Sequence, residues 1–272
     1  MRTGQPEAMC LIAWNWQPHS ATPLLLLSNR DEFYARSADP LQWWSESGFG
    51  SDILAGQDLQ AGGTWLGVSR SGRLAAITNY RTTEPARTDT PSRGELVALF
   101  LNSQASADDY LRTLAARCGD YNPFNLLVFD GRQLMGLESR IARILHLPPG
   151  IGAVSNASFN TPWPKLTRLS EELESQVTQG HSDAGRLLPL LHDRSAASDQ
   201  DLPQTGVPLP LERMLSATFI TSPEYGTRAC SVVAIHSTHI DFTEQSHGAL
   251  GLLGTHHRQF ARGLEDGPKP ST

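Results

Sequence analysis

Apolar runs of strand length arrive in blocks along this chain and alternate with stretches of helical periodicity. That pattern restricts it to an α+β fold in which sheets pack together and helices cover the outer faces. The first block opens with Met9-Cys10-Leu11-Ile12-Ala13-Trp14. Pro23 then introduces four leucines, Leu24 to Leu27, which stop at the polar cluster Ser28-Asn29-Arg30-Asp31-Glu32. Asp39 to Trp44 carries two adjacent tryptophans ahead of a glycine- and serine-rich turn. Ala61 to Val68 and Arg70 to Asn79 read as a hairpin about Ser71-Gly72, with Gly62-Gly63 marking a kink or a close backbone approach. The double glycine lacks the strand and helix context of a phosphate loop.

A helical block follows. Ser92 is placed to cap a helix bearing Leu96, Val97, Leu99 and Phe100, with Glu95 completing a capping box. A second helix is expected from Asp108 to Cys118 with Gly119 as its stop, which makes Cys118 structural. Strands return at Phe124 to Phe129, Gln133 to Glu138, Ile141 to Leu147 and Ile151 to Asn156. Thr161-Pro162-Trp163-Pro164 starts a helix over about Lys165 to Val177, amphipathic through Leu166, Leu169 and Leu173. Residues 179 to 210 look like a surface excursion, and strands are expected at Leu215 to Thr221, Arg228 to His236 and near Ile240 to Glu244. Residues 1–9 read as an extension that is removed or follows a misassigned start, 10–262 as one domain, and 263–272 as a flexible tail.

Composition enters where partners are at stake. A net charge of −6 argues against nucleic acid or an anionic membrane surface. No run approaches the ~18 to 20 apolar residues of a membrane span, and no secretory core precedes Met9, so the expectation is a soluble, cytoplasmic protein without integral membrane association. Cys10, Cys118 and Cys230 have no paired spacing, and the histidines no metal spacing, so neither disulfides, a metal nor a cofactor is expected.

Cys10 is the residue with the most chemistry to offer. As the first residue it would carry a thiol beside a free α-amine titrating near ~7.7 to 8.0, a nucleophile and a base in one residue. A cysteine in an apolar strand is more often a packing residue, and asparagines at strand ends more often satisfy turn backbone. What distinguishes Cys10 is its company, since Asp31, Asn79 and Asn156 each fall where an apolar strand stops. Arg36, Arg81 and Arg93 lie near these loops and could meet a carboxylate or phosphate, although exposed arginines are more often solvated or paired.

Several stretches in order carry a resemblance. Met9-Cys10-Leu11-Ile12, Asn29-Arg30-Asp31-Glu32-Phe33, Gly62 to Gly67, Leu74 to Tyr80, Arg93-Gly94-Glu95-Leu96, Ser155-Asn156 with Pro162-Trp163, and Tyr225-Gly226-Thr227-Arg228 resemble the NRDE family, also called the transport and Golgi organisation protein 2 family. Members usually begin at Met-Cys, whereas eight residues precede Met9 here. The family is similar to N-terminal nucleophile hydrolases of the bile-salt hydrolase and penicillin V acylase type. That resemblance implies a four-layer αββα sandwich of two antiparallel sheets. It also implies catalytic positions at Cys10, Asp31, Asn79, Asn156 and Arg228, with Arg30, Trp65, Tyr80 and Trp163 toward the substrate.

Two functions are then in contention. One is a cytoplasmic hydrolase or acyltransferase acting on a small non-peptide amide or acyl thioester through an acyl-enzyme on Cys10. The other, implied by the family's association with lipid, acyl-CoA and haem handling, is a non-catalytic carrier in which Trp43, Trp44, Trp65 and Trp163 line an apolar pocket.

Overall fold

The computed structural model describes residues 9–45 and 49–262. Of the expected extension 1–9, residues 1–8 lie outside the described residues and Met9 is the buried first residue of a strand; the tail from 263 and residues 46–48 of the turn after Trp44 also lie outside them. The chain begins with β1 (Met9–Trp16), β2 (Leu24–Phe33), β3 (Ala38–Trp43), β4 (Ile53–Asp58), β5 (Leu66–Ser69) and β6 (Leu74–Asn79). After α1 (Gly94–Asn102) and α2 (Ala107–Ala115) come β7 (Phe124–Phe129), β8 (Leu134–Glu138), β9 (Arg143–His146) and β10 (Gly150–Val154). Then follow α3 (Pro164–Thr178), α4 (Ala184–Leu187), α5 (Leu209–Leu215), β11 (Tyr225–Ile235), β12 (His239–Gly248) and β13 (Gly251–Ala261).

The strands form two antiparallel sheets, β10-β1-β2-β11-β12-β13 and β3-β4-β5-β6-β7-β8-β9. Side-chain alternation shows how they stack. Ile12, Trp14, Leu24 and Leu26 from the first sheet meet Leu54, Leu66, Leu74 and Leu127 from the second in one buried cluster between the sheets. The opposite faces of the same strands, Leu11, Ala13, Leu25 and Leu27, pack under Leu166, Leu169 and Leu173 of α3. On the far side, Ala75, Ile77, Leu126 and Val128 lie under Leu96, Phe100 and Leu111 of α1 and α2. The layer order is therefore αββα, as expected. The four leucines of β2 read as a continuous apolar run because both faces of that strand are covered. Each such leucine contributes roughly 1.5 to 3 kcal/mol by burial.

Three expectations need correcting. Ser92 and Glu95 do not form a capping box: α1 starts at Gly94 with no side-chain cap, and the Glu95 carboxylate instead accepts a hydrogen bond from Tyr121 Oη at 2.7 Å. The segment from Leu215 is not a strand. Pro208 and Pro210 open α5, whose Leu211 and Leu215 repeat at helical spacing against Met9 and Tyr225. β13, absent from the sequence reading, is an edge strand paired only to β12; most of its residues are exposed, so it carries no inward apolar alternation to detect.

Candidate active site

Strand register decides what surrounds Cys10. In the β1–β2 pair Cys10 lies opposite Arg30, and Met9 lies opposite Asp31. Paired residues share a face, so Cys10 and Arg30 point between the sheets with Ile12 and Trp14, whereas Met9 and Asp31 point to the α3 side with Leu11 and Ala13. The thiol lines a cavity of about 110 Å³ at the end of the sandwich, together with Arg30, Glu32, Asp58, Trp65, Asn79 and Arg93. The cavity exists because the backbones of two loops touch. A side chain on Gly63 would meet the Gly94 carbonyl carbon at 2.5 Å, and Thr64 N donates to the Gly94 carbonyl at 3.2 Å. This is the close approach that Gly62-Gly63 foreshadowed, and it seats the first turn of α1 on the cavity rim.

The charged residues of the cavity are already interlocked. Arg36 Nε donates to Asp58 Oδ2 at 2.6 Å, and Arg30 Nη2 reaches the same oxygen at 3.2 Å. Arg30 lies over the Trp65 ring at 4.4 Å, and its Nη1 is buried with no hydrogen-bond partner among the described residues. It is therefore the donor with spare capacity beside the sulfur. Burial, with the Asp31 carboxylate next in weight, pushes the Cys10 thiol up to about 12 in a chain where Cys10 N is an amide.

Asp31 sits on the other face. Its Oδ1 accepts from Thr227 Oγ1 at 2.6 Å, while Oδ2 is buried without a partner among the described residues. Burial raises its pKa to about 6 against the opposing pull of Lys165 and Thr227. Lys165, which the sequence marks only as the start of a helix, acts on Asp31 through its charge. It is 2% exposed, its Nζ has no hydrogen-bond partner among the described residues, and burial lowers it to about 8. The signal was present: Lys165 stands four and eight residues before Leu169 and Leu173, on the apolar stripe of α3. Tyr225 completes this side, its hydroxyl accepting from Met9 N at 3.1 Å and its pKa raised by burial and the nearby Asp31.

Asn156 follows β10 and joins the two sheets. Its Nδ2 donates to the Asn79 carbonyl at 2.9 Å, and Ser155 Oγ lies 2.9 Å from both Asn156 Oδ1 and the Cys10 carbonyl. Cys10, Asp31, Asn79, Asn156 and Arg30 thus converge on one end of the sandwich, and Trp65 walls the cavity. The remaining expected residues lie elsewhere. Arg228 is the bulge residue where the β11–β2 register shifts, and the bulge turns its side chain to the carbonyls of Phe33, Tyr34, Arg36 and His247. It lines an adjoining cavity of about 280 Å³ with Arg30, Trp65 and Glu244. Tyr80 lies under Arg140, and Trp163 under Arg81, whose guanidinium is bonded to Glu212 at 2.7 Å. Nor do the tryptophans gather in one pocket: Trp44 packs in the α1–α2 cluster, and Trp43 against Phe260.

Cys10, Cys118 and Cys230 are buried and unpaired. Among the described residues two groups bring three metal-ligand atoms within 4.8 Å of one another, His192 with Cys230 and His247, and His236 with His239 and Asp241. No helix among the described residues is long and apolar enough to cross a membrane.

Comparison with known proteins bears on the family of this chain. The family model described as Transport and Golgi organisation 2 matches residues 9–248. The Transport and Golgi organization protein 2 homolog of Bos taurus is 35% identical over 260 residues, covering 88% of this chain and 93% of that protein. The Homo sapiens homolog is 32% identical with the same coverage. The Drosophila melanogaster protein is 27% identical over 278 residues, covering 90% of this chain and 95% of its own. Among solved structures, the Caenorhabditis elegans ortholog of N-acylethanolamine-hydrolyzing acid amidase aligns with a TM-score of 0.46 at 9% identity, over 82% of this chain and 92% of that one. A conjugated bile acid hydrolase from Clostridium perfringens aligns with a TM-score of 0.48 at 8% identity, over 93% and 92%.

Proposed function

We propose, from the premise that the chain belongs to the Transport and Golgi organisation 2 family, that it is a thiol-dependent hydrolase or acyltransferase for a small non-peptide amide or thioester, active once Cys10 is the first residue. The observation that carries the reading is the split of the site across β1. The sulfur faces the cavity between the sheets, Asp31 with its unpartnered oxygen lies on the α3 face opposite Met9, and the nitrogen of Cys10, next to Met9 in the strand, is taken as the group that links them.

As an amide that nitrogen has no basic lone pair. As a free amine it takes the thiol proton, and Asp31 holds the resulting ammonium. The sulfur then bonds the substrate carbonyl carbon, with Arg30 Nη1 and the Asn79 side chain lining the space where the oxyanion develops. When the carbon–nitrogen or carbon–sulfur bond breaks, the ammonium returns the proton to the leaving group. Water or a second nucleophile next releases the acyl group from sulfur. Three unpaired cysteines suit the reducing, cytoplasmic setting that the reading assumes.

The test compares chains that begin at Met9 and at Cys10. Rates of alkylation at Cys10, mapped by mass spectrometry across pH, should show an inflection near ~8 only in the chain beginning at Cys10. Equal rates in the two chains, or a native amino terminus ahead of Cys10 in protein from its own host, would refute the reading. The carrier alternative draws on Leu250, Leu252 and Leu253, exposed at the β12–β13 turn beside the larger cavity. Acyl-CoA or haem binding that survives Cys10→Ala, without turnover in the parent chain, would favour it.

A further inference from the structure

Away from Cys10, the β11–β12 hairpin builds a second cluster. His236 follows β11 and His239 opens β12, joined by the two-residue turn Ser237-Thr238 and closed by His236 N donating to the His239 carbonyl at 2.9 Å. Residues that close a two-residue hairpin share a face, and the two rings stack with centroids 4.2 Å apart and planes 17° apart. Asp241 lies two residues on, hence on the same face of β12. On β13 His257 is opposite Thr243, which makes it the diagonal neighbour of Asp241.

All three imidazoles turn Nε2 to one carboxylate. His239 Nε2 is 3.0 Å from Asp241 Oδ2, His236 Nε2 is 3.4 Å from the same oxygen, and His257 Nε2 is 3.7 Å from Oδ1. Each ring is held from behind by a threonine hydroxyl. His236 Nδ1 meets Thr22 Oγ1 at 2.9 Å, His239 Nδ1 meets Thr238 Oγ1 at 3.0 Å, and His257 Nδ1 meets Thr243 Oγ1 at 2.9 Å. Metal-binding histidines are oriented in this way, through a hydrogen bond at the nitrogen that does not bind the metal. One carboxylate cannot neutralise three imidazolium ions, whereas one divalent cation at the junction would be shared by three neutral rings and the carboxylate.

We propose that His236, His239 and Asp241, whose ligand atoms lie within 4.8 Å of one another, form a site for a first-row divalent ion of the zinc type, with His257, 3.7 Å from Asp241 Oδ1, as the neighbour that completes the set when its ring moves in. Imidazole with carboxylate is the donor set such ions take, and a ligand separation of about 3.3 Å follows from zinc–nitrogen and zinc–oxygen distances of about 2.0 Å in a tetrahedron. The site opens on a cavity of about 330 Å³ lined also by Ser182, Asp183 and Thr243, which gives the ion a route in and leaves space for water beside it. It ties β11, β12 and β13 together. β2 runs from Leu24, level with Ile235, to Asp31, level with Thr227, so the site is on the order of 20 Å from the Asp31 end. The proposal is independent of the reading of Cys10.

The experiment uses the full chain freed of metal by chelation. Zn²⁺ is titrated calorimetrically, and Co²⁺ by its visible absorption. The expected result is one ion per chain held by nitrogen and oxygen donors, with a rise in melting temperature on adding Zn²⁺. Asp241→Asn and His239→Ala, at positions that are partly exposed, should each weaken binding by about 100-fold or more, and Thr243→Val by about 10-fold. Cys10→Ala should leave binding unchanged. Absence of binding would show a hydrogen-bonded histidine–aspartate network only and overturn the proposal. Binding indifferent to Asp241→Asn and His257→Ala would overturn it too, as would an intense thiolate-to-cobalt band placing the ion at Cys230. If His239→Ala does not fold, Asp241→Asn and Thr243→Val carry the same decision.

Discussion

Lys165 and Asp31 are both sealed from water between α3 and the first sheet, and replacing Lys165 by methionine tests how they depend on each other. Methionine keeps most of the volume and removes the charge. In the parent chain burial raises Asp31 from 3.8 to about 6 and lowers Lys165 from 10.5 to about 8. Because the folded pKa of Asp31 lies above the unfolded one, the folded state holds more protons between pH 4 and pH 6, and stability falls as pH rises through that window. Lys165 acts in the opposite sense above pH 8, where the folded state releases its proton first and stability is regained toward pH 10.5. Each limb spans more than two pKa units, so each is worth roughly 3 kcal/mol. The pair therefore produces a trough in stability between pH 6 and pH 8, where both groups are charged.

Lys165→Met removes the alkaline limb and the attraction that restrains Asp31, so the folded pKa of Asp31 rises further. An uncompensated buried carboxylate costs about 3 to 5 kcal/mol at pH 8. At pH 5 the carboxylate takes up a proton instead, and the penalty shrinks by about 1.4 kcal/mol for each pH unit within the titration window. Urea unfolding of the parent, Lys165→Met, Asp31→Asn and the double variant at pH 5, 7 and 9 measures these differences, since every other titrating group is common to all four. The double variant should lie closer to the parent than either single one, as in a coupled pair. A Lys165→Met penalty independent of pH, or additive single and double variants, would refute the assignment of both groups to one buried electrostatic unit.

Three further substitutions have definite outcomes. Asn79→Ala should lower acylation of Cys10 about 100- to 1000-fold in a chain beginning at Cys10, with the melting curve little changed, as measured by single-turnover kinetics. Gly152→Ala should destabilise by roughly 1 to 3 kcal/mol in urea unfolding, because the added carbon would stand 2.3 Å from Trp14 Cζ2 across the β1–β10 pair. Arg228→Met should cost about 2 to 3 kcal/mol, since it strips the donor from the carbonyls of Phe33, Tyr34 and Arg36. Loss of Cys10 acylation without loss of stability in that variant would instead put Arg228 in the chemistry.

The sequence disclosed the architecture wherever an element buries a regular stripe. Leu24 to Leu27, the Ser71-Gly72 hairpin and the leucines of α3 all form the elements their periodicity implied. It was silent where burial is irregular. β13 shows solvent most of its surface, and α5 is so short that its last residue, Leu215, reads equally well as the start of a strand. Strand ends located Asp31, Asn79 and Asn156, because a polar residue closing an apolar strand is visible in one dimension. Arg228 could not be placed that way, since one extra residue in β11 turns its side chain aside. The histidine cluster had a local signal, His236-Ser-Thr-His239-Ile-Asp241, but only pairing with β13 adds His257.

The geometry around Cys10 also sets a balance between stability and chemistry. Met9 is 2% exposed, packed with Leu215, Ile220 and Tyr225, and Arg81 Nη2 lies 3.7 Å from its sulfur. Removing a buried side chain of that size forfeits about 2 to 5 kcal/mol. A charge-assisted hydrogen bond from the new ammonium to Asp31 returns about 1.5 to 3 kcal/mol, so the shortened chain lies between about 1 kcal/mol more stable and about 3.5 kcal/mol less stable than the longer one. On the proposed reading it gains a base, and a methionine-sized space opens on the α3 side with Asp31. The two carboxylates of the cavity, Glu32 and Asp58, are already paired with Arg30 and Arg36. No histidine is among the described residues lining the cavity, and burial holds the Cys10 thiol well above its ordinary value, so it stays protonated at pH 7. Asp31, opposite Met9, lies on the α3 face of the sheet, whereas Cys10 lies on the face toward the second sheet. On the proposed reading, Cys10 in mid-chain is a packed residue whose reactivity depends on the peptide bond that precedes it.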